Sequence, residues 1–158
     1  MSPFDSLQMP RELACEFFAM FSRFEFALKE CGFLYVNRFG RAAPDWDGYS
    51  KHAAVHIKVD NDSELAEAIR YLNKEPPQIQ VSATVWDATI GLRGPEPIGT
   101  ALDAVQRVRN NLFHGGKHTP HSPPGRDEKL VRFALCVLGS CLSQDHRLCE
   151  AYEQPAAF

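Results

Sequence analysis

The sequence predicts an all-α protein built as an up-and-down bundle of four to five helices. Apolar residues recur at intervals of three and four over several long stretches, which is the period of an amphipathic helix. Strand-like alternation is confined to one short stretch, near residues 79–85. The chain has 158 residues, of which 44% are hydrophobic. This is enough for one core and too little for two ordinary domains, so we expect a single domain over residues 1–158.

The first predicted helix is a long one that follows Pro10 in RELACEFFAMFSRFEFALKECGF. Its stripe of apolar residues at helical spacing consists of Leu13, Phe17, Phe21, Phe24, Leu28 and Cys31. Gly32 lies near its end, where a glycine commonly terminates a helix. The following LYVNRFGRAAP carries turn residues and charges without a clear period, so it predicts a loop.

Two shorter helices are predicted next, separated from the rest by an extended connector. The first begins near Pro44 and Asp45; the second begins at Asp62 or Ser63 and stops before the two prolines at 76–77. The connector is QIQVSATVWDATIGLRGPEPIG, because a lone strand there would have no partner. A short helix over residues 85–92 is the alternative for part of it.

Two helices complete the predicted bundle. TALDAVQRVRNNLFH restores the helical period and stops at the double glycine 115–116, after which a polar loop extends over 115–126. EKLVRFALCVLGSCLSQDHRLCEAYEQ then predicts a strongly apolar helix, broken or bent around residues 143–145.

Composition excludes a few classes of protein. The net charge of -3 argues against a wholly basic nucleic-acid binder, although a local basic cluster is still compatible with it. No apolar run approaches the roughly 20 residues that span a bilayer, and no signal-type segment opens the chain, so we expect a cytoplasmic protein without membrane contact. The five cysteines are odd in number and contain no C-x-x-C, which favours buried free thiols over disulfides or metal ligands.

Two charged residues fall on predicted apolar helix faces. At about 100° per residue, Glu25 lies within the apolar face of the first helix, and Arg109 lies about 40° from Val105 on a later one. A charge on a buried face needs a partner, so we predict that Glu25 and Arg109 form an ion pair. Such a pair is equally compatible with a purely structural role.

The opposite face of the later helix carries Asp103, Arg107, Asn110 and His114. Asn110 and His114 are four residues apart and therefore neighbours on one face. His114 comes just before the double glycine, at a helix C-terminus, where the helix dipole stabilises the protonated imidazole. The plain alternative is that His114 is an ordinary capping or surface residue.

The segment Arg109-Asn110-Asn111-Leu112-Phe113-His114 resembles the R-x4-6-H signature of the HEPN superfamily of all-α domains. Asn110 stands where that family commonly has a polar residue after the arginine. The early helix with FSRFEFALK is also similar to the opening helix of several bacterial HEPN families. The resemblance covers most of the chain and implies a HEPN-like bundle.

The resemblance also implies a function, metal-independent cleavage of RNA. His114 would be the acid or base that moves the proton of the 2'-hydroxyl or of the leaving 5'-oxygen, giving a cyclic phosphate end. Arg109 would hold the scissile phosphate, and Asn110 would orient either His114 or the phosphate. No cofactor is needed. The histidines at 114, 118 and 121 could instead suggest a metal site, but the loop supplies no placed carboxylate or thiol.

Further residues and partners follow from the same resemblance. Lys117 and His118 would extend a positive rim. Arg107 is a second candidate for the phosphate contact, because on a straight helix Arg109 and His114 point about 140° apart. Either the helix unwinds before the glycines, or the two residues act across a homodimer, which the family implies.

The implied setting is a toxin of a toxin–antitoxin or phage-defence system that acts on cellular RNA. A nucleotidyltransferase-like antitoxin is one candidate partner, although the tyrosine that such partners modify just after the motif histidine is replaced by Gly115. The main alternative is a catalytically silent HEPN module that dimerises or binds nucleotide or RNA. A purely structural helical subunit is the third interpretation.

Overall fold

The computed structural model describes residues 2, 4–5, 7–113 and 123–154. His114, Lys117, His118 and residues 115–122 of the loop predicted over 115–126 lie outside the described residues. The described part holds six helices and two short hairpins. Their bounds are α1 Arg11–Glu30, β1 Leu34–Val36, β2 Ala42–Pro44, α2 Trp46–His56, α3 Glu64–Lys74, β3 Ile79–Gln80, β4 Trp86–Asp87, α4 Ile98–Phe113, α5 Arg126–Gln144 and α6 His146–Glu153.

Helix α1 confirms the long first helix, because the predicted apolar stripe is the face that it buries. Phe17, Phe24 and Leu28 are fully buried. Pro10 precedes the first turn, where its missing N–H costs nothing. Gly32 follows with a φ of 87°, a conformation that glycine adopts without strain, and it ends the helix.

The predicted loop after α1 is wrong: it contains the antiparallel hairpin of β1 and β2, in which Tyr35 pairs with Ala43. Asn37 closes the turn, since its Oδ1 accepts from the N–H groups of Phe39 and Arg41 at 2.9 and 3.1 Å. Gly40 supplies the positive φ of 72° that the turn needs. The strands are only three residues long, too short for a period to be recognised in the sequence.

Helices α2 and α3 confirm both predicted starts. The Asp45 side chain accepts from Gly48 N at the start of α2, and Ser63 Oγ accepts from Ala66 N at the start of α3. Trp46, the first residue of α2, stacks on Phe24 of α1 with ring centroids 5.5 Å apart. This contact ties α2 to the middle of α1.

The extended connector is also more ordered than predicted. Strands β3 and β4 form a second antiparallel pair, with Ile79 opposite Asp87 and Gln80 opposite Trp86. The lone strand therefore finds its partner within the connector itself, a few residues further on. The alternative helix over 85–92 is wrong as well. The described protein is mostly helical with two small sheets, rather than all-α.

Helix α4 packs against α2, α3 and α5. Leu102, Val105 and Val108 are fully buried. Asp103, Arg107 and Asn111 are buried too, so α4 has almost no face that points entirely to water before its last turn. Polar side chains buried on such a helix require partners, and the segment that precedes α4 supplies most of them.

The break predicted near the end of the chain is confirmed at Asp145, between α5 and α6. Its Oδ1 accepts from Leu148 N at 3.1 Å and caps α6, while its Oδ2 lies 3.1 Å from His52 Nε2. The carboxylate therefore joins the C-terminal helices to α2.

The five cysteines are free thiols, as predicted, but only Cys31 and Cys141 are buried and Cys15 is exposed. Burial raises the pKa of Cys141 to about 12, so this thiol stays protonated. The Tyr49 hydroxyl lies near it without satisfying hydrogen-bond geometry, and burial raises the pKa of Tyr49 as well. Within the described residues, no helix is both long and apolar enough to cross a bilayer.

Candidate functional site

A pocket of about 640 Å³ lies between the polar side of α4 and the segment 79–93. Its lining consists of two aliphatic side chains, several charged groups and several carboxamides. The lining residues are Ile79, Gln80, Ile90, Arg93, Asp103, Gln106, Arg107, Asn110 and Asn111. We refer to it as the amide pocket.

Two glycines bring the segment 79–93 onto α4. Gly94 has a φ of 109°, and a Cβ there would lie 2.8 Å from the carbonyl carbon of Gly99. A Cβ at Gly99 would in turn lie 2.5 Å from Pro95 Cδ. Both positions therefore require glycine, and their close approach turns the chain back over the first turns of α4.

An ion pair closes the floor of the pocket. Arg107 Nη2 lies 2.9 Å from Asp103 Oδ2, and the two side chains are 8% and 9% exposed. Arg107 also donates to the carbonyls of Ile90 and Gly91, which attaches the loop to the helix. Arg93 completes the cluster, since its backbone N–H donates to Asp103 Oδ2 at 3.2 Å.

Arg107 is the second candidate for the phosphate contact, and its guanidinium is already occupied within the protein. Its charge is neutralised by Asp103 and its donors are engaged by two carbonyls. Placing Arg107 on a phosphate would take from Asp103 the nearer of the two arginines that pair with it and would release the carbonyls of Ile90 and Gly91. Arg107 therefore helps to shape the pocket, and its contact with phosphate stays a prediction.

Arg109 lies on the other side of α4, against α1. Its guanidinium carbon is 5.4 Å from the centroid of the Phe21 ring and 5.3 Å from that of Phe113. Phe113 also contacts the exposed ring of Phe18, with centroids 5.1 Å apart. Among the described residues, no carboxylate pairs with Arg109; its polar contact is a hydrogen bond from Nη1 to Asn110 Oδ1 at 3.0 Å.

The predicted ion pair between Glu25 and Arg109 is wrong. Glu25 Oε1 accepts a hydrogen bond from Trp46 Nε1 at 3.0 Å instead. An indole N–H that is buried against Phe21 and Phe24 needs an acceptor, and Glu25 is the residue of α1 that supplies it. The need for a donor partner was correct, but the donor is an indole and not a guanidinium.

The structure thus divides the predicted site. Arg109 and Asn110 are joined by a hydrogen bond in the last turn of α4, and Asn110 also lines the amide pocket. Arg107 lies in the pocket floor as part of the fold. His114, Lys117 and His118 all lie outside the described residues, the first of them directly after the end of α4.

Sequence reasoning missed the contribution of Gln80, Arg93, Gln106 and Asn111. For α4 a signal existed, because residues 103, 106, 107, 110 and 111 form a polar stripe at helical spacing on a helix whose other positions are apolar. No such signal marks Gln80 or Arg93, since they are brought to the pocket by the β3–β4 pairing and by the glycine contact.

In the described part of the chain, no group of three or more histidine, cysteine, aspartate or glutamate side chains is placed to hold a metal ion. Comparison of the chain with protein-family models, with curated proteins and with solved structures gives no significant match. The functional argument therefore rests on the residues themselves.

Proposed function

We propose that the protein is a metal-independent endoribonuclease of the HEPN type, with a HEPN-like helical bundle and a homodimeric active form. The observation that carries the proposal is the state of Arg109. It is a partly exposed cation at the end of a helix, held between two aromatic rings and lacking a carboxylate partner among the described residues. A guanidinium that is oriented in this way suits a bidentate phosphate contact.

The neighbouring side chain supports the same role. Asn110 is exposed, and its Oδ1 accepts from Arg109 Nη1, so the amide fixes one edge of the guanidinium fork. A preorganised donor group costs little reorganisation when charge develops on the phosphate in the transition state. The positive side chain also offsets the partial negative charge at the C-terminal end of α4.

The proposed reaction is attack of the ribose 2'-oxygen on the adjacent phosphorus. The 2'-hydroxyl proton passes to a base, the bond from phosphorus to the 5'-oxygen breaks, and an acid protonates that leaving oxygen. The products are a 2',3'-cyclic phosphate and a 5'-hydroxyl end. His114 is the proposed acid or base, and the second group comes from the other subunit.

The test is cleavage of total RNA in the presence of a chelator. Wild type should cut and leave cyclic phosphate ends, and Arg109→Ala and His114→Ala should each lose at least about a hundredfold in rate, as expected for removing a group that acts in the transition state. Arg132→Ala is the matched control, because Arg132 is exposed on α5 and forms its ion pair with Glu128 of the same helix. It should cut like wild type.

Two results would reject the proposal: no cutting by a folded wild type, or cutting that survives in both site variants. The alternative function is a catalytically silent module that binds nucleotide or RNA, and the carboxamide lining of the pocket favours it because such groups bind without doing chemistry. RNA that is retained by wild type but never cut would support that alternative.

A further inference from the structure

The β1–β2 hairpin carries exposed aromatic and basic side chains that the proposed site does not use. Residues 31–44 include two arginines, Arg38 and Arg41, and no aspartate or glutamate, although the whole chain has a net charge of -3. Large apolar side chains of the same segment are 41–70% exposed, namely Leu34, Tyr35, Val36 and Phe39. We refer to residues 33–44 as the hairpin arm. Exposed apolar groups beside positive charge indicate a binding surface.

The arm is fixed at its base and closed at its tip. The Phe33 ring packs edge-on against the buried Tyr49 ring, with centroids 5.2 Å apart. At the tip, Gly40 N donates to Asn37 O and Asn37 N donates to Arg41 O, each at 2.9 Å. This is a three-residue hairpin loop with glycine at its positive-φ position. The exposed side chains are therefore presented from an ordered backbone.

Each aromatic ring of the arm lies beside a guanidinium group. The guanidinium carbon of Arg38 is 4.7 Å from the centroid of the Phe39 ring. Tyr35 and Asn37 are two residues apart on one strand and share a face, and Arg41, opposite Asn37, is the diagonal neighbour of Tyr35 on that face. In the part of the chain that the structure describes, no carboxylate forms an ion pair with either arginine.

Single-stranded RNA complements this arrangement. Its bases can stack on exposed aromatic rings, and its phosphates are bound by the forked donors of arginine. The Phe39 ring is 70% exposed and the Tyr35 ring 55%, so both have surface available for a base. The bases of a duplex are stacked on one another and cannot reach such rings, so the arm suits an unpaired strand.

The arm is attached to the same part of α1 as Arg109. Trp46 lies just beyond the arm, and its ring stacks on that of Phe21 with centroids 5.4 Å apart. The guanidinium of Arg109 lies 5.4 Å from the centroid of the same Phe21 ring. A strand bound along the arm would therefore approach the proposed phosphate contact from the α1 side.

We propose that the hairpin arm is a second RNA-binding site, which holds an unpaired part of the substrate outside the cleavage site. Its rings, Tyr35 and Phe39, stack on bases, and its two arginines contact the phosphates. This proposal rests on the proposed ribonuclease function, since that function makes RNA the ligand.

The first measurement is binding without cutting. His114→Ala is titrated with a labelled single-stranded RNA of about twelve nucleotides, followed by fluorescence anisotropy, and Phe39→Ala in this background should raise the Kd about tenfold, the scale of one lost base stack. Phe39→Leu, which keeps an apolar side chain without a ring, should be as weak, and Phe39→Trp should keep the affinity. Phe4→Ala, at another exposed phenylalanine, is the matched control and should bind like its parent.

The second measurement is the salt dependence of the same Kd. Arg38→Gln and Arg41→Gln should each lower the slope of log Kd against log salt concentration by about 0.7, the value for one phosphate contact on a single strand. Arg132→Gln, at the exposed arginine of α5, is the matched control and should keep the slope. Circular dichroism confirms that each variant is folded.

The competing ligand is an anionic membrane, which also attracts aromatic and basic side chains. The probe is a vesicle that contains phosphatidylserine. Vesicle binding that is lost in Phe39→Ala and in Phe39→Leu, with RNA binding unchanged, would overturn the proposal and make the arm a membrane-binding element.

The results also separate the arm from the ribonuclease function. Binding of RNA that depends on the arm, in a protein that never cuts RNA, would reject the ribonuclease function and support the arm. In a protein that cuts, Phe39→Ala should raise KM about tenfold and retain kcat, whereas Arg109→Ala lowers kcat. An unchanged KM, equal Kd values in the arm variants or no binding of single-stranded RNA would overturn the arm and leave the ribonuclease function to its own test.

Discussion

Two arginines of α4, separated by one residue, lie in opposite environments. Arg107 is buried, paired with Asp103 and bonded to two loop carbonyls. Arg109 is partly exposed and stacked on two phenylalanine rings, and in the described part of the chain no carboxylate neutralises it. The difference shows that position on a helix does not decide the role of an arginine; the groups that satisfy its charge do.

The same contrast distinguishes the two sides of the helix. On the pocket side, Arg107 fixes the segment 79–93 to the helix, and the carboxamides of Gln80 and Gln106 donate to backbone carbonyls. On the α1 side, aromatic rings orient Arg109 without neutralising it. Asn110 connects the two sides, because it lines the pocket and accepts a hydrogen bond from Arg109.

The largest expected effect is on stability and comes from Arg107→Ala. Removing the buried guanidinium leaves Asp103 with the longer contacts to Arg93 and releases two loop carbonyls, so we expect a loss of about 3 kcal/mol in the free energy of unfolding, the lower end of the range for a broken buried ion pair. Urea denaturation followed by circular dichroism measures it.

The double variant Arg107→Met with Asp103→Leu is the control for this prediction. It replaces both charges by apolar groups and should recover a large part of the loss. If Arg107→Ala cost less than about 1 kcal/mol, Arg107 would not be structural, and the contrast with Arg109 would fail.

Arg109→Ala should have a smaller effect on stability. Two ring contacts of a partly exposed guanidinium contribute about 0.5–1 kcal/mol each, so the expected loss is about 1–2 kcal/mol. The same urea titration measures it, with Arg109→Lys retaining part of the cation–π contact. A loss equal to that of Arg107→Ala would mean that Arg109 is held as firmly as a buried ion pair and would weaken its assignment as a free phosphate contact.

Most of the helical architecture could be predicted from the sequence, because a long amphipathic helix repeats apolar residues at intervals of three and four. The start of α1 after Pro10, the caps at Asp45 and Ser63 and the break at Asp145 are all local signals. The hairpins were missed because their strands have only two or three residues. Pairing over so short a length is decided by turn geometry and packing rather than by alternation.

The candidate site was harder to predict than the fold. A helical wheel placed Arg107 on the face opposite the apolar stripe, but it could not show that the segment 79–93 folds back over that face. It likewise placed Glu25 correctly on the buried side of α1 while giving no means of choosing Trp46 over Arg109 as the donor. Helical periodicity predicts which face a side chain lies on. It does not predict which side chain of a distant segment will be its partner.

Glu25→Gln gives the smallest expected effect and tests that choice of donor. The glutamine oxygen still accepts from Trp46 Nε1, and only the charge assistance of the hydrogen bond is lost, so stability should fall by about 1 kcal/mol or less. Glu25→Ala, which leaves the indole N–H unpaired, should cost about 1–3 kcal/mol. The Trp46 indole N–H resonance in a nitrogen-15 spectrum should stay protected from solvent exchange in Glu25→Gln and exchange faster in Glu25→Ala. A loss near 3–5 kcal/mol in Glu25→Gln would instead indicate a broken buried ion pair and return Arg109 to the role of its partner.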